Sequence, residues 1–189
     1  MTDGATEENT RFTRMDESSR DEWMRIGKAT MKLQPEVPKR ILGMLRELRG
    51  LHAGFGVDQL HHALQTATMA RRANARDDVV LAALCHDVGK VISIPNHAAI
   101  AAEILRPYVG KDVYQVLRTH QEFQGRHYFQ HFGASPTLRD KYRDEPWFAL
   151  AEQFTDEWDQ AAFDPAYPVL PLEEFEPLVN EYFGRFPAL

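Results

Sequence analysis

Apolar residues recur along this chain at intervals of three and four, the spacing of one helical face, in one segment after another. Ile41, Met44, Leu45 and Leu48 mark one such segment between Pro38 and Gly50, the glycine serving as its stop. Leu60, Ala63, Leu64, Ala67 and Ala70 mark the next, which Asp58 caps and which runs to Ala73. Asp77 or Asp78 opens a third, through Val80, Leu81, Leu84 and Cys85, with Gly89 as its stop. Asn96 caps a fourth holding Ala98 to Leu105, closed by Pro107 and Gly110, and Val113, Val116 and Leu117 predict a fifth. Pro146, at home in a first helical turn, starts a long helix through Trp147, Leu150, Ala151, Phe154 and Trp158. A proline-rich loop over 165–171 leads to a terminal helix from Leu172 to Phe183. Near the start, a shorter helix from Asp21 to Leu33 ends where Pro35 and Pro38 break it. No segment alternates as a strand does and no internal repeat is present, so the pattern predicts an all-α fold.

The length, 189 residues, is that of one domain. Residues 1–20 are polar and charged and read as a disordered arm, leaving 21–189 as a single domain. A net charge of −6 excludes a basic groove, and Arg71, Arg72 and Arg118 read as solvated helix faces, so no nucleic-acid partner is expected. No run approaches the ~18 apolar residues of a membrane span, and the acidic start lacks the pattern of a signal peptide. A cytoplasmic setting follows as the expectation. The single cysteine, Cys85, makes no internal disulfide and reads as a small buried hydrophobe.

The chemistry lies in six residues: His62, His86, Asp87, His97, His120 and Asp159. Each falls on or at the end of a predicted helix, the way bundle cores assemble metal sites. Imidazole nitrogens and carboxylate oxygens suit iron, manganese or zinc, and an aspartate has two oxygens with which to bridge a metal pair. The adjacent His86 and Asp87 present one nitrogen and one such carboxylate to a common centre. A ligating histidine needs its second nitrogen oriented, and Gln59, Gln65 and Thr66 are the polar neighbours of His62. His52, His61, His127 and His131 read as ordinary surface or core histidines. On spacing, Asp156 and Asp159 share a helical face and compete for the last ligand position. The glycine-bearing stretch over 52–56, just before His62, is placed where a substrate lid would sit.

His62, the pair His86-Asp87 and the distant Asp159 resemble the HD-domain superfamily of metal-dependent phosphohydrolases, and His97 and His120 add the two histidines of its dinuclear members. The run His62-Ala63-Leu64-Gln65-Thr66-Ala67 is similar to the first ligand motif of the HD-type diiron oxygenases, the group of myo-inositol oxygenase and the phosphonate-cleaving oxygenases. The run from His97 to Leu105, and Pro146-Trp147-Phe148 leading to Trp158-Asp159, resemble the phosphonate-cleaving branch. The Trp158-Asp159 match favours Asp159 over Asp156. The resemblance spans about 58–164, an HD-type helical bundle with a dinuclear metal site in its core.

That resemblance implies two iron ions, Fe(II) and Fe(III), which use dioxygen to cleave a C–C or C–P bond of a small hydroxylated substrate. Asp87 would bridge them, with His62, His86 and Asp159 on one iron and His97 and His120 on the other. Lys90 would face the site and orient a substrate oxygen. Where the phosphonate-cleaving branch has a lysine and an arginine, this chain has Gln124 and Asp156, and Phe55 stands where the branch has a lid glutamate. These departures weaken the case for a phosphonate dianion, and Asp156 favours a polyol or a cationic group in the substrate position. Arg126 and His127 are further sources of charge. The alternative is a dinuclear phosphohydrolase acting on a nucleotide or phosphomonoester, with manganese, zinc or magnesium in place of iron.

Overall fold

The computed structural model describes residues 10–186 and shows no strand among them. Its helices are α1 (Arg20–Met31), α2 (Val37–Glu47), α3 (Gln59–Arg72), α4 (Asp77–Cys85), α5 (His97–Leu105), α6 (Lys111–Gln124), α7 (Phe148–Gln153) and α8 (Glu176–Gly184). No helix of the described residues is long and apolar enough to cross a membrane. Of the segment expected to be a disordered arm, 1–9 lie outside the described residues. Within the rest, Met15–Glu17 forms a 3-10 turn, and Ser19 and Glu22 close a reciprocal cap on α1.

The layers follow from which helices have an apolar face. Residues Val79 to Cys85 of α4 are buried all round, as expected of a helix with neighbours on every side. Helix α3 packs along α4, α5 along α6, α6 against α7, and α2 against α8. Leu45 and Leu48, Leu64 and Ala67, Leu105, Val116 and Leu117, and Phe154, Phe175 and Phe183 meet in one continuous core. Cys85 is buried within it, and desolvation pushes its thiol up to about 12. Helix α1 buries no residue and stands outside this core.

Asp58 caps α3 as its position predicts, its carboxylate accepting from the His61 amide at 2.8 Å. Four expectations need correction. Helix α4 ends at Cys85, before Gly89, because the chain turns through His86 and Asp87 into a 3-10 segment, Val88–Val91. Asn96 stands at the N-cap of α5 without making a cap bond, since a 3-10 turn, Ile94–Asn96, feeds straight into the helix. The terminal helix is split: Leu172–Glu174 is a 3-10 turn, and α8 begins afresh at Glu176, where Pro177 removes the amide a longer helix would need. The long helix expected from Pro146 is α7 followed by a π-helix, Phe154–Asp159, and Pro146 lies in the turn before it.

Gly89 shows why the turn after α4 is built as it is. A Cβ there would run into the His97 carbonyl oxygen and come within 2.8 Å of the His97 Cα. The missing side chain lets the Asp87 turn lie directly on the first residue of α5. Gly89→Ala is therefore expected to lower stability by about 1–3 kcal/mol, the usual cost of overpacking. Gly43, inside α2, has nothing within 4 Å of its would-be Cβ. Gly43→Ala is expected to raise stability by roughly 0.5–1 kcal/mol. Urea midpoints of the two variants should move in opposite directions.

Candidate metal centre

Four imidazoles converge from four segments: His62 in α3, His86 just after α4, His97 at the start of α5 and His120 in α6. Each ring is held from behind by a backbone carbonyl. His62 Nδ1 donates to Ala162 O at 3.0 Å and His86 Nδ1 to Ala83 O at 2.9 Å. His97 Nδ1 donates to Ile94 O and His120 Nδ1 to Leu117 O, both at 2.7 Å. A carbonyl can only accept, so Nδ1 carries the hydrogen in every ring and Nε2 of the neutral ring carries a lone pair.

Those four Nε2 atoms face one another in pairs. His62 and His86 approach to 3.1 Å, and His97 and His120 to 3.3 Å. Between the pairs stands Asp87. Its Oδ2 is 3.6 Å from His62 Nε2 and 3.4 Å from His86 Nε2, while its Oδ1 is 3.0 Å from His97 Nε2 and 3.7 Å from His120 Nε2. Asp159 Oδ1 joins the first pair, at 3.1 Å from His62 and 3.5 Å from His86. All six residues are buried.

The donor set fits a divalent metal. Ligand atoms of His62, His86 and Asp159, and of His86, Asp87 and His120, lie within 4.8 Å of one another in each triad. Asp87 Oδ1 and Asp159 Oδ2 are buried without a hydrogen-bond partner, a costly state that a cation relieves. Facing lone pairs in two histidine couples need the same remedy. Nitrogen and oxygen donors without a thiolate suit iron, manganese or zinc.

The electrostatics say this in another form. Burial opposes charge on His86, but Asp87 and Asp159 outweigh it and push the imidazole up to about 10. Burial works to raise Asp87 and Asp159 too, yet the surrounding histidines, His86 foremost, hold both well below the usual carboxylate range. His120 moves down, chiefly by burial. A proton on His86, beside the Lys90 ammonium on Asp87, supplies part of the cationic charge that the two carboxylates require.

Lys90, on the 3-10 segment after the pair, donates to Asp87 Oδ2 at 2.5 Å and to Gln59 Oε1 at 2.6 Å. Gln124, near the end of α6, donates to Asp159 Oδ1 at 3.0 Å. Both also line a cavity of about 490 Å³ that opens above the cluster. Asp156 is placed elsewhere. The π-helix closes with Gln160 N donating to Thr155 O, five residues back, and the wider turn separates Asp156 from Asp159. Asp159 is sealed in the cluster, whereas Asp156 meets Arg139 at 2.8 and 3.0 Å and His127 Nε2 at 3.0 Å, and does not line the cavity. Arg139, only 2% exposed, also holds Glu152 at 3.0 Å.

The polar neighbours of His62 have other tasks than orienting its ring. Gln65 clamps Asp164 through both ends of its amide, its Nε2 donating to the carbonyl and its Oε1 accepting from the amide at 3.3 Å. Thr66 bonds back to His62 O at 2.9 Å, and Thr68 accepts from Leu170 N at 3.0 Å. The loop after the π-helix is thereby pinned along α3, which sets Ala162 O behind His62 and stacks Phe163 on its ring at 4.4 Å. Phe163, Tyr128 and Gln160 in the cavity wall had no motif to flag them.

The HD-domain family model matches residues 60–162, 103 of the 189 residues, and takes in all six clustered side chains. No curated protein matches the chain.

A pH series of denaturation midpoints on metal-free protein tests the charge balance. His86 titrates near 10 when folded against 6.5 for an ordinary imidazole, so its contribution is full below 6.5 and lost as pH rises towards 10. Asp87 and Asp159 are depressed, so theirs is present above the ordinary carboxylate value and lost as pH falls through the folded one. Stability of the metal-free protein is expected to be greatest in the weakly acidic range and to decline on the alkaline side. Saturation with a divalent metal is expected to abolish that alkaline decline.

Proposed function

Because the chain belongs to the HD-domain family, whose members are mostly metal-dependent enzymes, we propose that it is a non-haem diiron oxygenase. In this reading it uses O2 to cleave a C–C or C–P bond of a small hydroxylated substrate. The observation that carries it is the division of Asp87, whose two oxygens face two different histidine pairs. One ion would be held by His62, His86 and Asp159 and the other by His97 and His120, with Asp87 shared. Two irons there would supply the redox activation of dioxygen.

The chain's own residues do the rest. Lys90, locked between Asp87 and Gln59, sets a fixed ammonium at the floor of the cavity, where it orients a substrate hydroxyl or other oxygen. Gln124 keeps one amide hydrogen on Asp159 and has its other donor and its carbonyl for the substrate. Asp156 acts at one remove, fixing His127 in the cavity wall. The apolar walls exclude water from the reacting end. Among the described residues Lys90 is the cavity's one lysine and no arginine lines it, which suits a hydroxylated substrate better than a nucleotide or a phosphomonoester. The phosphohydrolase reading draws instead on Lys90 beside the shared carboxylate, where a phosphate oxygen would sit.

Metal analysis of anaerobically purified protein, followed by electron paramagnetic resonance after partial oxidation, separates the two. The expected result is about two irons per chain with a coupled Fe(II)/Fe(III) signal. Zinc, manganese or magnesium, together with turnover of a phosphate ester, would move the protein to the hydrolases. Asp87→Ala is expected to lose both metals, and His97→Ala to keep about one. Full metal content in Asp87→Ala would sink the assignment.

A further inference from the structure

The cavity above the cluster has walls of a different character from its floor. Leu51, Phe55, Ile94, Tyr128, Phe132 and Phe163 reach it from four separate stretches of chain. Phe132 is 81% exposed, Ile94 57% and Phe55 47%, so the rim presents large apolar side chains to water. Such a cluster around a concave opening marks a place where an apolar group is received. Phe163 stacks on His62 at 4.4 Å, and Phe55 stacks on Phe163 at 4.7 Å with the rings 20° from parallel. A ladder of three rings therefore leads from a buried imidazole of the cluster to the surface.

The charges around the cavity are few. Among the described residues Lys90 is its one ammonium, and neither a carboxylate side chain nor an arginine lines it. The remaining polar groups there are amides, imidazoles and one phenol: Gln121, Gln124, Gln160, His97, His127 and the Tyr128 hydroxyl. Arg139, the nearest guanidinium to Asp156, is sealed in its own ion pairs and offers nothing to a ligand. The Lys90 ammonium already meets Asp87 Oδ2 at 2.5 Å, so the cavity holds little positive charge to spare for a ligand. A dianion would find no guanidinium in the apolar mouth, a cationic ligand would find no carboxylate on the cavity wall, and a polyol would turn hydroxyls onto phenyl rings.

Resting on the metal-cluster reading above, we propose that the substrate is amphipathic. Its reacting end is hydroxylated and carries one negative charge or none, and its other end is an aromatic or similarly bulky apolar group. The head lies at Lys90 and Gln124, and the tail extends the ring ladder between Phe163 and the rim at Phe132. Small dianionic phosphonates, polyols and cationic amines are poor ligands.

Calorimetric titration of the full-length protein tests this directly. Two 2-hydroxy acids with the same head are compared, glycolate and 2-hydroxy-4-phenylbutanoate, beside myo-inositol and 2-hydroxyethylphosphonate. The phenyl compound is expected to bind about tenfold or more tighter than the other three. Phe132→Ser and Phe55→Ser, both at the exposed rim, are expected to narrow the ratio to glycolate several-fold while metal content stays whole. Equal affinity for the two hydroxy acids, or tighter binding of the polyol or the phosphonate, overturns the proposal. The ratio is read by binding, with iron, with zinc and on the metal-free chain. Failure of the oxygenase reading would show in metal content and oxygen use, and leaves the ratio readable.

Discussion

Four lone pairs aimed at one another govern this structure. Each imidazole is tied by Nδ1 to a main-chain carbonyl, which leaves Nε2 no choice but to face the centre, where two buried carboxylates wait as well. Without a cation that assembly is repulsive, and its partial remedy is to protonate His86. Because the anchors are backbone atoms, the ligand tautomers depend on the path of the main chain and not on any neighbouring side chain.

The fold is arranged around delivering those anchors. Helix α4 is apolar on all sides, so it sits at the centre, and the pair that follows it emerges into the interior. Gly89 allows that turn to rest on His97, which closes the distance between Asp87 and the second histidine pair. The buried amides and hydroxyls of α3 are a second device. They look out of place on a helix facing a core, yet Gln65 and Thr68 satisfy the backbone of the loop that carries Ala162.

Helix faces and the Asp58 cap were legible because period and cap chemistry are local. The six residues stood out as a joint pattern of histidines and aspartates on successive helices, with Asp159 preferred to Asp156 only through the family resemblance, and the structure brings them together. What escaped was long-range or lacked a side-chain signature. Ala162 supports His62 through a carbonyl that any residue possesses, a hundred positions along the chain. The π-helix hides because six residues cannot distinguish its period from that of an α-helix, and the apolar spacing of Phe154 and Trp158 satisfies both. Asp156 was read as facing the substrate, because nothing local reveals that Arg139 and His127 already hold it.

That wider turn has an effect beyond geometry. Asp156 and Asp159 are three positions apart, yet one belongs to the sealed ligand cluster and the other to a partly exposed network with Arg139, Glu152 and His127. On a regular helix the two would be neighbours, and a change at one would disturb the other. Here the side chains that hold the one carboxylate are not those that hold the other. Divergence can rewrite the charge on the outer side of this helix, and with it the anchoring of His127 in the cavity wall, while the inner side keeps Asp159 against His62 and His86.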